Sequence, residues 1–318
     1  MDPGTRHIPV ALDRVLDLLE PVLGSSAQTK EPIMVDATTG LGGHAAAVLE
    51  AFPHARVIGL DRDPDAVRAA TERLARFGER ASVHHARYDQ LGEVLDLLGV
   101  DHIDAVLFDL GVSSMQIDEA QRGFAYARSA PLDMRMDTTA SLTAQEVLNT
   151  YSQSELARIL WEYGEERFAR RIARQIVASR PLTASDDLVA AVETAVPMRA
   201  RRKGHPAKRT FQAIRIEVNA ELLSLERALP VALTRLRPGG RFVALSYHSL
   251  EDKMVKQALR AGAQVSAPPD LPVVPPDSRP WLRLITRGSE VASDQEVAAN
   301  PRARSVRLRA AEKLREAS

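Results

Sequence analysis

Three aspartates stand directly behind apolar runs: Asp36 after "IMV", Asp61 after "RVIGL" and Asp109 after "AVLF". A carboxylate that ends a buried strand sits at the rim of a sheet. There it can accept hydrogen bonds from ligand hydroxyls or hold a cation. Asp36 also opens the stretch "DATTGLGGH" (36–44), with three glycines in four positions. Glycine is costly to order, so such a cluster marks a sharp turn or a close backbone approach to a bound molecule. Asp61 comes 25 residues after Asp36, where a carboxylate is placed to accept from both hydroxyls of a ribose. Taken singly, each acid reads equally well as a helix cap or a surface charge. Aimed together at one crevice, they point to a nucleoside.

The elements that must position these residues follow from periodicity. "IMVDA" (33–37), "RVIGLD" (56–61), "SVHHARY" (82–88) and "IDAVLFDLG" (103–111) read as buried strands. "HAAAVLEAF", "PDAVRAATERLARF" and "DQLGEVLDLLG" lie between them with helical spacing. Such alternation predicts an α/β fold with a parallel sheet covered on both faces and right-handed crossovers. From Phe124 to Arg215 the pattern turns helical or irregular, with Leu156, Ile159, Leu160 and Tyr163 on one helical face. Phe168, Ile172 and Ile176 continue it after Gly164. The rhythm resumes with a helix through Leu222, Leu225, Leu229 and Leu233, the turn "RPGG" (237–240) and the strand "RFVALSYHS" (241–249). After a Pro-rich connection (268–280), "WLRLITR" (281–287) and "SVRLRAA" (305–311) read as two late strands. The expected organisation is one Rossmann-like α/β domain built from 1–124 and 216–318, interrupted by a helical domain over 125–215.

Composition narrows the chemistry. Lys+Arg and Asp+Glu both number 42 in 318 residues, so no global field draws the chain to a polyanion, and a polyanionic partner must meet a local patch. No run of eighteen apolar residues and no signal-peptide pattern is present, which makes a cytoplasmic protein without a membrane partner the expectation. Cysteine is absent. Disulfides, thiolate metal sites, cysteine-bound iron–sulfur clusters and a cysteine nucleophile are therefore excluded, and no metal is expected.

Two nucleoside cofactors compete at the glycine loop. Gly40, Gly42 and Ala45 fit the dinucleotide pattern G-x-G-x-x-A, which favours a nicotinamide-dependent oxidoreductase. Asp36 argues the other way, because a carboxylate before the loop repels a pyrophosphate and suits a cationic amino-acid portion. The strand-end acids and the terminal strand pair suit S-adenosylmethionine better.

Longer blocks then carry a resemblance. "HIPV" (7–10), "DATTGLGGH" (36–44), "GLDRDPDA" (59–66), "DLGVSS" (109–114), "PLDMRMD" (131–137) and "YGEERFARRIA" (163–173) come in order. "HPAKRTFQAIRIEVNAEL" (205–222), "LRPGGRFVALSYHSLED" (236–252) and "NPRARSVRLRAAEK" (300–313) follow. Over nearly its whole length the chain resembles the MraW/RsmH family, the bacterial small-subunit (16S) ribosomal RNA cytosine-N4 methyltransferases. The resemblance implies a class I S-adenosylmethionine-dependent fold. It implies cofactor contacts at Gly42, Gly43, His44, Asp61, Tyr88, Asp109 and Gln116, with Tyr88 on the adenine. By composition alone, Tyr88 reads as a core aromatic, and His44 and Gln116 as polar surface residues. Ala37, Met115 and Gln121 depart from the family pattern, which usually has glycine, proline and glutamate there.

The expected partner is 16S ribosomal RNA, within the small subunit and at a cytidine of the decoding region. "RARRKGHPAKRTFQAIR" (199–215) has seven Lys/Arg and no acid, so Arg201, Arg202, Lys203, Lys208 and Arg209 are the candidate RNA contacts. The same run also reads as a solvated loop. "RFARRIAR" (167–174) offers a second basic face. At the acceptor, Asp109 and His248 are the candidate catalytic residues, with Ser113 and Ser114 as further oxygens; a structural histidine is the competing reading of His248. Without cysteine, methylation of carbon 5 through a covalent adduct is excluded, which leaves nitrogen or oxygen acceptors. A non-catalytic ribosome-assembly factor is a further alternative.

Overall fold

The computed structural model describes residues 9–25, 27–126, 129–203, 205–266 and 275–316, without the side chains of residues 114, 201–203 and 276. The first two residues of "HIPV" and 268–274 of the Pro-rich connection lie outside the described residues. Before the helical stretch come α1 (Leu12–Leu23), β1 (Ile33–Asp36), α2 (Gly43–Ala51), β2 (Arg56–Asp61), α3 (Pro64–Leu74), β3 (Ala81–His85), α4 (Leu91–Leu97) and β4 (Ile103–Asp109). Next are α5 (Ser114–Asp118), α6 (Ala144–Thr150), α7 (Gln153–Glu162), α8 (Ala169–Ala178), α9 (Ser185–Ala195) and α10 (Lys208–Asn219). The chain closes with α11 (Glu221–Arg235), β5 (Leu236–Ser246), α12 (Ser249–Gly262), β6 (Leu282–Leu284), α13 (Asp294–Ala299) and β7 (Arg307–Lys313).

The seven strands form one sheet in the order β3-β2-β1-β4-β5-β7-β6. The first five are parallel, and β7 runs antiparallel to both β5 and β6. Strand residues alternate between two cores, as a sheet covered on both faces requires. Val35, Ile58, Val106, Phe108, Phe242 and Ala244 pack with α4, α11 and α12 on one face. Met34, Val57, Ala105, Leu107, Val243 and Leu245 pack with α1 and α2 on the other. The expected turn at 237–240 is absorbed into β5: Ile103 pairs with Leu236 and Ala105 with Arg241, so these four residues bulge from the ladder. Tyr88 lies outside β3, at the start of a 3₁₀ turn (Tyr88–Gln90).

The chain divides into two compact units, Met1–Gly111 with Leu223–Ser318, and Val112–Leu222. These limits fall outside the expected 125–215 for a local reason. Within the helical unit, Arg122 Nη2 donates to the Met136 carbonyl at 2.8 Å, and Met136 N–H donates to Asn219 Oδ1 at 2.7 Å. The segment after Val112 and the end of α10 are thereby tied to one another. Leu156, Ile159, Leu160, Ile172 and Ile176 are fully buried in this unit's own core, as their spacing predicts.

Thr39 joins the glycine loop to β2. Thr39 Oγ1 lies 3.1 Å from the Asp36 carbonyl and 3.2 Å from that of Leu60, and Thr39 N–H donates to Leu60 O at 2.9 Å. A Cβ on Gly59 would come within 2.5 Å of that hydroxyl. Gly59→Ala is therefore expected to destabilise the protein by about 1–3 kcal/mol in urea unfolding, the usual cost of overpacking. Adding Thr39→Ala should recover part of the loss, since neighbours in contact are non-additive. Additive effects of the two substitutions would contradict this packing.

Candidate functional site

The site is built on the carboxyl ends of three adjacent strands. Asp36 ends β1 and is level with Gly59 on β2 and Leu107 on β4. Asp61 and Asp109, two residues beyond those partners, therefore flank it on either side. From β1 the chain passes to β2 on one side and later returns to β4 on the other. That reversal of order is where open α/β sheets bind ligands.

Each carboxylate has a defined environment. Asp36 is only 1 % exposed, and its Oδ1 accepts the Thr38 N–H at 3.3 Å. Loss of water pushes its carboxyl up to about 7; His44 and the Thr38 N–H lower it, while Asp109 and Asp61 raise it further. The half-buried Asp61 accepts Gly40 N–H on Oδ2 at 2.7 Å and Asp63 N–H on Oδ1 at 2.9 Å. Desolvation still pushes it up to about 6, against the two N–H donors. Asp109 Oδ1 accepts the Tyr247 hydroxyl at 2.7 Å, and the Asp109 N–H donates to Thr38 Oγ1 at 2.6 Å. Burial, then the Asp109 charge, raises the Tyr247 phenol well above its ordinary value, so it stays protonated and donates.

His44 closes this network. Its Nε2 lies 3.0 Å from the Val10 carbonyl, which can only accept, so Nε2 carries a proton. Its Nδ1 faces Asp109 Oδ2 at 3.6 Å. The glycines before it have separate reasons. Gly40 and Gly42 adopt left-handed φ values of 53° and 72°. A Cβ on Gly43 would meet Pro9 Cγ at 2.8 Å, so protein packing alone demands glycine there.

The remaining sequence candidates are placed as follows. Tyr88 is half-buried, edge-on to Phe108 with centroids 5.9 Å apart, which gives it the core contact its composition suggested. Gln116 belongs to the helical unit and is buried there. It caps α5: Ser113 N–H donates to Gln116 Oε1 at 3.0 Å, and Gln116 N–H donates to Ser113 Oγ at 3.3 Å. His248 is the N-cap of α12; its Nδ1 accepts Glu251 N–H at 3.4 Å and its Nε2 is 3.1 Å from Glu251 Oε1. Arg201, Arg202 and Lys203 lie in a 3₁₀ turn (Met198–Lys203), and their side chains are outside the described residues. Lys208 and Arg209 are exposed in the first turn of α10. Sequence alone does not single out Thr38, Thr39 or Tyr247. Tyr247 stands inside "SYHSLED", but only the fold shows which carboxylate it meets.

This geometry discriminates between the two cofactors. A pyrophosphate cradle needs loop N–H groups turned toward the ligand. Here Gly40 N–H is taken by Asp61 and Gly42 N–H by the Thr39 carbonyl at 2.8 Å. Three carboxylates around the crevice would repel a diphosphate. They suit a ligand with a ribose and a cationic amino-acid portion, which S-adenosylmethionine has. Sheet order, the antiparallel β7 and the acidic switch-point crevice define a Rossmann-like, S-adenosylmethionine-dependent methyltransferase fold.

Comparison with known proteins agrees. The MraW methylase family model matches residues 4–314, and the chain belongs to that family. Ribosomal RNA small subunit methyltransferase H of Frankia alni is 59 % identical over 312 residues, covering 96 % of this chain and 95 % of that protein. The proteins of the same name from Kocuria rhizophila (55 %, 98 % of this chain and 95 % of that one) and Nocardioides sp. (57 %, 98 % and 97 %) are similarly close.

Burial of Asp36 sets a pH dependence. Its carboxyl is raised in the folded chain, so folding binds a proton more tightly than the unfolded state does. The resulting stabilisation is full below about pH 4 and is lost as pH rises through 7. Asp36→Asn keeps the acceptor for Thr38 and removes the charge. Without cofactor, the variant should gain stability over the parent between pH 5 and 8, by on the order of 2–4 kcal/mol at pH 8. Urea unfolding at the two pH values tests this, and an unchanged difference would show that Asp36 is not held against its charge.

Proposed function

We propose that this chain transfers a methyl group from S-adenosylmethionine to the N4 amine of a cytidine in the decoding region of 16S ribosomal RNA, in the cytoplasm and within the small subunit. The observation that carries the cofactor half is the convergence of Asp36, Asp61 and Asp109 on one crevice where Asp61 takes the Gly40 N–H and the Thr39 carbonyl takes that of Gly42. Similarity to small-subunit ribosomal RNA methyltransferases supports the RNA half. Among the described residues no helix is long and apolar enough to cross a membrane.

In this reading Asp61 accepts from the ribose hydroxyls and Asp36 faces the amino-acid portion. Gly42, Gly43, His44, Tyr88 and Gln116 complete the site, as the family resemblance implies. Bound S-adenosylmethionine supplies a methyl group made electrophilic by a sulfonium. Asp109 orients the acceptor amine and takes up a proton from it. Tyr247 holds one oxygen of that carboxylate and the His44 ring faces the other, while His248, which also caps α12, is the second candidate acceptor. Arg201, Arg202, Lys203, Lys208 and Arg209 neutralise RNA phosphates. The chain has no cysteine, so a nitrogen acceptor that attacks directly fits it better than carbon 5 of a pyrimidine.

Two measurements test this. Nucleoside mass spectrometry of small-subunit RNA, from cells lacking the protein and after treatment with it, should show loss and return of N4-methylcytidine. No adduct should form on 5-fluorocytidine-substituted RNA. A trapped adduct or 5-methylcytidine would overturn the chemistry, and absence of any transfer would leave an assembly factor. Separately, Tyr247→Phe should lower turnover about tenfold, the worth of one hydrogen bond to a charged group, with cofactor affinity within twofold. Equal loss in both would make Tyr247 a binding residue instead.

A further inference from the structure

A column of aromatic rings runs from the core of the helical unit to its surface. Phe211 is buried; Tyr126, half-buried, meets it edge-on at 5.8 Å between centroids. His205 stacks on Tyr126 at 4.4 Å with 26° between planes and is exposed. One face of the imidazole is thus covered by Tyr126, and the exposure belongs to the other. The ring is also anchored, since its Nδ1 accepts the Ala207 N–H at 3.3 Å and the His205 carbonyl accepts the Lys208 N–H at 3.2 Å.

The charges beside it are arranged against the helix they stand on. α10 begins without a side-chain cap and without an acid in its first turn, and that turn carries Lys208 and Arg209. The amino end of a helix is its positive end, so cations there are unfavourable and an anion is favoured. The Lys208 ammonium makes no hydrogen bond or ion pair among the described residues, and the Arg209 guanidinium donates only to the Glu165 carbonyl, at 2.8 Å. A bound phosphate relieves this mismatch. An open aromatic face next to unneutralised cations is the combination by which proteins hold an unpaired nucleotide.

We propose that the exposed face of His205 is a stacking site for one unpaired base of the RNA substrate, with its phosphate on Lys208 and Arg209. This rests on the reading that the substrate is RNA, and it adds that a splayed-out base, as well as the backbone, is gripped by the helical unit.

Filter binding of a single-stranded 16S RNA fragment from the decoding region to the full chain, over a range of salt, separates the two parts. His205→Ala should weaken binding roughly 5- to 100-fold with the salt slope unchanged, because stacking releases no counterions. His205→Phe should restore affinity to within about threefold, and a perfectly paired duplex should bind both variants like the parent. Lys208→Gln with Arg209→Gln should reduce the slope by about 0.7 per lost phosphate contact. If His205→Ala binds the fragment as the parent does, or His205→Phe behaves like His205→Ala, the stacking site is wrong though the RNA substrate stands. If the parent, while still binding S-adenosylmethionine, binds neither the fragment nor assembled small subunits, the functional reading fails and this site with it.

Discussion

A carboxylate almost without access to water, Asp36, sits at the middle of the sheet's carboxyl edge between two more carboxylates. Burying it so is unfavourable, and the neighbouring structure is arranged to tolerate it. Thr38 N–H approaches one oxygen, and the Thr39 hydroxyl lies between the carbonyls of Asp36 on β1 and Leu60 on β2. Gly40 N–H reaches across to Asp61, which makes the loop and the second carboxylate one unit. The crevice is consequently acidic and rigid before any ligand arrives. Such a site selects a cation by electrostatics and a ribose by its remaining lone pairs, without needing a phosphate cradle.

The third carboxylate faces different demands. Asp109 meets Tyr247 on one oxygen and His44 on the other, and Thr38 fixes its backbone. A carboxylate bonded to Tyr247 through one oxygen, with its backbone fixed, has restricted rotation, which suits the proposed orienting of an acceptor amine. The residues that hold it come from β1's loop, from α2 and from the segment after β5. The sheet order brings these into one crevice, so the parallel topology is itself part of the chemistry.

Much of this was legible in the sequence, because short β–α repeats leave a strong periodic trace. The strand ends at Asp36, Asp61 and Asp109 could be read from apolar runs that stop at an acid, and the glycine loop from its density. The partners of those acids could not. Tyr247 and Thr38 meet Asp109 across 138 and 71 residues of chain, and no local pattern records such a contact. Nor does any local pattern record that a side chain on Gly43 would meet Pro9. The "RPGG" turn is real as a bulge but does not end the strand pairing, since Leu236 still finds Ile103. Arg122 and Asn219, buried polar anchors of the helical unit, resemble ordinary surface residues in sequence.

In the proposed reading a crevice of partly protonated carboxylates is completed by a cationic cofactor. This is tested most directly by proton counting. Isothermal titration of S-adenosylmethionine into the protein near pH 6.5, in buffers of different ionisation enthalpy, measures protons exchanged on binding. With Asp36 raised to about 7 and Asp61 to about 6, and both required as carboxylates in the complex, binding should release on the order of one proton. That release should fade above pH 8, where both groups are already ionised. Proton uptake, or no exchange at pH 6.5 with normal affinity, would contradict the account.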